Sequence, residues 1–154
     1  MLPLRRAFSL IELVVVVVII GIIAAIAVPR MSRGVSGSND GALTQDLDTL
    51  RRAIELYRAE HNQTVPTIAM IYADLTLYSN ADGTSAQTTQ DAGHMFGPYM
   101  RAIPALPVGA NKGASGIGAA NGATIGWIYD DTTGDIRANT TTEADDSGKL
   151  YNTY

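Results

Sequence analysis

"RRAFSLIELVVVVVIIGIIAAIAVP", Arg5–Pro29, decides how the rest of this chain is read. No charged residue interrupts it from Leu13 to Val28, and Phe8, Leu10 and Ile11 extend the apolar stretch to about twenty residues, enough to cross a bilayer as a helix. A removable secretory signal has a shorter apolar region followed by a small-residue cleavage site; here Pro29 and Arg30 close the run. Glu12 is the anomaly. A carboxylate inside a spanning helix costs roughly 2.5–3.5 kcal/mol on insertion scales, so such acids either pair with a cation or reach water. Arg5 and Arg6 precede Glu12 by more than one helical turn. Two readings follow: a cation from another chain, or a position shallow enough to lie at the interface. Arginines flank the run on both sides, Arg5 and Arg6 before it and Arg30 and Arg33 after it. The positive-inside rule therefore gives only a small bias toward a cytoplasmic N-terminus.

With 154 residues, the chain has room for one domain beyond this head. Its hydrophobic content of 46% is concentrated in the head, which leaves the remainder a modest core. The absence of cysteine excludes a disulfide framework and thiolate metal sites. A net charge of −4, with basic residues clustered no further than pairs such as Arg51-Arg52, argues against a nucleic-acid surface.

Beyond the head, Gly34, Gly37 and Gly41 each cost about 1 kcal/mol relative to alanine in a helix, so bending, local melting or a break are all open there. Asp40 or Ser38 would cap a restarted helix. Leu43, Leu47, Leu50, Ile54 and Tyr57 then recur at spacings of four and three, predicting an amphipathic helix whose stripe must be buried. Asp48 with Arg52, and Glu55 with Arg58, are helical neighbours on its charged faces. From Pro66, the positions Ile68, Ile71, Tyr72, Leu75 and Tyr78 predict a short second helix, followed by a loop over Asn80–Ser85. Pro98, Pro104 and Pro107 exclude a regular helix from "GPYMRAIPALPVG". Gly109–Gly122 reads as a mobile or filament-packed loop, because its glycine spacing is not that of a phosphate-binding turn. "ATIGWIYDDTTGDIRANT" predicts an antiparallel hairpin, Ala123–Tyr129 and Asp135–Asn139, turning at Asp130–Gly134. An edge strand is expected at Leu150–Tyr154.

Catalytic chemistry finds little support. There is no cysteine nucleophile and no serine in a G-x-S-x-G elbow. Of the two histidines, His61 reads as a polar residue near a helix C-terminus and His94 as a loop residue. Neither has a metal partner at ligand spacing.

"RRAFSLIEL" resembles the processing site of type IV prepilins and type II secretion pseudopilins: a short basic leader, a small residue, then Phe-x-Leu-Ile-Glu-Leu opening an apolar helix. The resemblance implies a leader over residues 1–7, cleavage between Ala7 and Phe8, N-methylation of Phe8, an assembly helix over 8–29 and a soluble domain over 30–154. Ala7 stands where that family usually has glycine. Glu12 becomes the fifth residue of the mature chain, and its implied partner is the terminal amine of a neighbouring subunit. Pro29 falls where many members have a helix-kinking proline. The implied fold is α+β, a long N-terminal helix, half transmembrane and half amphipathic, packed on a small antiparallel sheet. "GWIYDDTTGDIRAN" is similar to the terminal hairpin of major pseudopilins, which favours that subtype over a type IV pilin for adhesion, motility or DNA uptake. An unpolymerised membrane-anchored binding module is the remaining alternative. The implied partners are further copies of the chain, a prepilin peptidase and methyltransferase, an inner-membrane assembly platform and minor pilins or pseudopilins. The implied location is the bacterial inner membrane, single-pass, and then a periplasmic or surface filament. Major pseudopilins commonly hold calcium in a C-terminal loop, and Asp131, Glu143, Asp145 and Asp146 are the oxygen ligands available for it here.

Overall fold

The predicted stripe is the spine of the folded core. Leu43, Leu47, Leu50, Ile54 and Tyr57 are all buried, and Ala53 joins them on the same face. They belong to helix α1, Leu10–Glu60, in a computed structural model that describes the backbone of residues 8–154 and the side chains of residues 8–25 and 37–154. Gly37 and Gly41 lie within α1 with open space where a Cβ would be, so the helix is not restarted at Ser38 or Asp40. Glu55 and Arg58 form the expected ion pair at 3.7 Å, whereas Asp48 and Arg52 do not pair. Asn62 and Gln63 close the helix in left-handed conformations (φ 53° and 65°), with the Gln63 amide donating to the Arg58 carbonyl.

The chain divides into two compact units, Met1–Ser36 and Gly37–Tyr154. In the first, every described side chain from Phe8 to Ala25 is exposed, and the apolar residues point outward on all faces of α1. Among the described residues no helix is long and apolar enough to cross a membrane. The run expected to span continues to Val28, past the described side chains.

In the second unit the α+β expectation holds: the amphipathic part of α1 packs on small sheets. Helix α2, Ile71–Thr76, is shorter than its periodicity predicts, because Leu77 turns extended and Tyr78–Ser79 becomes strand β1. β1 pairs antiparallel with β2, Ala86–Gln87, so the expected loop Asn80–Ser85 is a hairpin turn. The Asn80 side-chain oxygen closes that turn by accepting from the Thr84 and Ser85 amides at 3.0 and 3.1 Å.

The second sheet has the order β3-β4-β5: Gly116–Gly118, Ile125–Tyr129 and Ile136–Ala138. β4 and β5 are the predicted hairpin, shortened at both ends, with Gly134 at φ 85° in its turn. β3 corrects the reading of Gly109–Gly122 as loop, and by running parallel to β4 it makes this sheet mixed. Glycine permits it. A Cβ on Gly116 would lie 2.5 Å from the Thr124 carbonyl oxygen, and one on Gly126 would lie 2.0 Å from that of Ala114.

Trp127, Tyr129, Ile136 and Ala138 bury the sheet's inner face in the same core as α1, with Ile103, Leu106 and Val108 of the proline-rich segment. Trp127 donates its indole N–H to the Pro104 carbonyl at 2.8 Å, and Tyr129 its hydroxyl to that of Pro66 at 2.9 Å. These bonds allow two polar aromatics to be buried in an otherwise apolar core. The tail is not an edge strand: Ala144 and Leu150 form a single bridge and Tyr151–Thr153 a 3₁₀ turn.

Candidate functional site

The N-terminal site begins where α1 begins. Ser9 precedes the helix, and its carbonyl accepts from the Glu12 and Leu13 amides at 3.1 and 3.2 Å. Glu12 therefore sits in the first turn, where a carboxylate is favoured by the helix dipole. Its side chain is exposed, as are those of Phe8 and Ser9, and among the described residues it makes no salt bridge. Ala7 and the cleavage junction lie outside the described residues, and the side chain of Pro29 lies outside the described side chains, so its expected kink has no geometry here.

Residues 3–28 match a family model described as the prokaryotic N-terminal methylation motif. The head of the chain carries that motif. The match includes Ala7, Phe8, Glu12 and most of the apolar run, and it supports a pilin-like subunit of the kind processed by prepilin peptidase. No curated protein and no solved structure matches the chain.

The four candidate calcium ligands do not converge. Asp131 accepts from the Ile68 amide at 3.1 Å, tying the hairpin turn to the approach of α2. Glu143 accepts from the amides of Ala110, Thr141 and Thr142 at 2.9–3.1 Å. These bonds, those from Thr141 and Ala110 foremost, hold its carboxyl down at about 2. Asp145 accepts from the Ser147 and Lys149 amides and from the Tyr154 hydroxyl, and its carboxyl is held well below the usual range. Among the described residues no three acidic or histidine side chains stand where they could share a metal ion. Asp146, the remaining candidate, is exposed.

Two polar clusters escape a linear reading of the sequence. His61 is buried against the core, its ring stacked on Tyr57 at 3.8 Å between centroids. Its two ring nitrogens face the carbonyls of Tyr57 and Asn80 at 2.9 and 3.0 Å, and Nε2 lies 3.1 Å from the Ser79 hydroxyl. Close by, Asp74 is fully buried and neither carboxylate oxygen has a hydrogen-bond partner. Burial pushes its carboxyl up to about 6, with the Tyr57 hydroxyl and His61 acting in the opposite direction. The signal for Asp74 was present, since it shares the buried face of α2 with Ile71 and Leu75.

The second cluster joins Ser85 Oγ to His94 Nε2 at 3.0 Å, and His94 Nδ1 to Asp91 Oδ1 at 3.0 Å. The order of groups is that of a nucleophilic relay, but the Ser85 and Thr84 amides, the nearest oxyanion donors along the chain, are both committed to Asn80. Asp91 also accepts from the Gly93 and His94 amides and from the Gln87 side chain. The cluster braces the turn that follows β2.

Proposed function

We propose that this chain is the structural subunit of a pilin-like filament, most like the major pseudopilin of a type II secretion system, and not an enzyme. The observation that carries the reading is the methylation motif over residues 3–28, laid on a helix whose apolar side chains point outward on every face. A helix apolar all round belongs in a bilayer or inside a bundle of its own kind. The precursor is held single-pass in the inner membrane by residues 8–29, is cut after Ala7 and methylated on Phe8, and then passes from bilayer to filament core. Cleavage creates the cation that the apolar run lacks, an amine on Phe8. In the assembled state Glu12 pairs with the Phe8 amine of another subunit, a charge pair made outside water. The resemblance of the β4–β5 hairpin to that of major pseudopilins supports the subtype.

Glu12→Ala tests the pairing. The variant inserts into the inner membrane in normal amount, because it has lost a charge from an apolar helix, and it fails to form filaments. Filaments at the wild-type level from Glu12→Ala would contradict the reading. Deleting the gene separates the subtypes: loss of protein secretion with surface pili intact supports the pseudopilin, whereas loss of pili with secretion intact supports the type IV pilin.

A further inference from the structure

We infer that the C-terminal segment, residues 139–154, is closed by the carboxylates of Glu143 and Asp145 acting on the chain's own donors, and that it holds its shape without a divalent cation. All four oxygens of the two groups are engaged. Glu143 Oε1 accepts from the Ala110 amide at 3.0 Å, and Oε2 from the Thr141 and Thr142 amides at 2.9 and 3.1 Å. Asp145 Oδ1 accepts from the Ser147 amide and hydroxyl and the Lys149 amide at 2.7–2.9 Å, and Oδ2 from the Tyr154 hydroxyl. Calcium is held by six to eight oxygen lone pairs at about 2.3–2.6 Å. An N–H or O–H aimed at a lone pair places its own partial positive charge where the ion would sit, so these donors compete with a cation for the same space. Charge-assisted bonds of this kind are about twice as strong as neutral ones.

The bonds also join parts of the chain that are separate in sequence. Glu143 fastens the turn at Gly109–Ala110 to Thr141–Thr142, in a contact so close that a Cβ on Gly109 would lie 2.7 Å from Thr140 Cγ2 and 3.4 Å from Glu143 Oε1. Asp145 fastens the turn 145–149 to Tyr154, whose ring lies 3.7 Å from the Lys149 ammonium. The Tyr154 carbonyl in turn accepts from Arg51 of α1 at 2.6 Å. The tail is thus linked through Asp145, Tyr154 and Arg51 to the helix that organises the core. Of the two other candidate ligands, Asp131 is engaged elsewhere by the Ile68 amide and Asp146 is exposed.

The experiment uses the full chain in detergent, melted in calcium chloride and in a calcium chelator, beside equilibrium dialysis against calcium. The expected result is one Tm in both solutions and no stoichiometric calcium uptake. Glu143→Gln and Asp145→Asn should each lower that Tm by about 4–8 °C, equally with and without calcium. A saturable rise of the wild-type Tm with calcium, abolished by either substitution, would overturn the inference. Should a variant fail to fold, stoichiometric calcium uptake by the wild type alone overturns it, and absence of uptake supports it.

Discussion

Asp74 is the residue at which burial and charge conflict most openly. Its carboxyl is fully buried without a hydrogen-bond partner, and burial pushes it up to about 6 from a usual value of 3.8. The folded state therefore binds the proton more tightly than the unfolded state. The resulting stabilisation is fully present below the usual carboxylate value and is lost as pH rises through the folded one. Chemical denaturation should show the wild type losing about 2–3 kcal/mol between about pH 4 and pH 7 relative to Asp74→Asn, which cannot ionise. Parallel pH profiles for the two proteins would show that Asp74 is solvated after all. Glu143 has the opposite sign: its carboxyl is held at about 2, so its contribution is present above the usual carboxylate range and is lost as pH falls toward 2. The apolar repeat that marks α2 in the sequence leaves out the first of these groups, although it shares the buried face of that helix with Ile71 and Leu75. The sequence showed the second as a possible metal ligand, because an acid in a turn reads alike whether it faces an ion or backbone amides.

At the scale of elements, glycines that look alike in sequence do opposite things. A Cβ on Gly126 in β4 would lie 2.0 Å from the Ala114 carbonyl oxygen and 3.3 Å from Leu106 Cβ, whereas one on Gly41 in α1 meets nothing within 4 Å. Gly126→Ala should cost about 1–3 kcal/mol by forcing the Leu106–Ala114 connection outward, while Gly41→Ala should add about 1 kcal/mol through helix propensity. Urea denaturation of the two variants checks both signs. The elements legible in advance were those that periodicity marks: the α1 stripe from Leu43 to Tyr57 and the hairpin of β4 and β5 all reach the core. Those missed or misjudged in extent depend on pairing and contacts that periodicity does not show. β3 is three residues, two of them glycine, and exists only because Ile125–Tyr129 offers it an edge. α2 stops at Thr76, short of its apolar repeat, because Tyr78–Ser79 is claimed by pairing with Ala86–Gln87. Leu150–Tyr154 folds as a 3₁₀ turn because Asp145 and Arg51 hold Tyr154 at the end of a bent tail.

At the scale of the whole molecule, one chain carries two kinds of surface. Residues 37–154 bury their apolar side chains in a core built on α1, with charged residues such as Asp48, Arg52 and Glu55 on its outer face. Phe8 to Ile23 leave theirs exposed, at 45–82% for the large apolar residues. Burial within the chain explains the first surface, and the proposed passage from bilayer to filament core would cover the second. The head was legible from the start, because a methylation-type junction, an acid at Glu12 and an uninterrupted apolar run are linear features that need no fold to be seen. The same linearity makes the account testable at one bond. The most direct measurement is the mass of the N-terminal peptide of the protein taken from cells that contain a prepilin peptidase. The account predicts a peptide that begins at Phe8 and carries one added methyl group on its amine. A peptide that retains Ala7 and the residues before it would contradict the account, since no amine would then exist on Phe8 for Glu12 to meet.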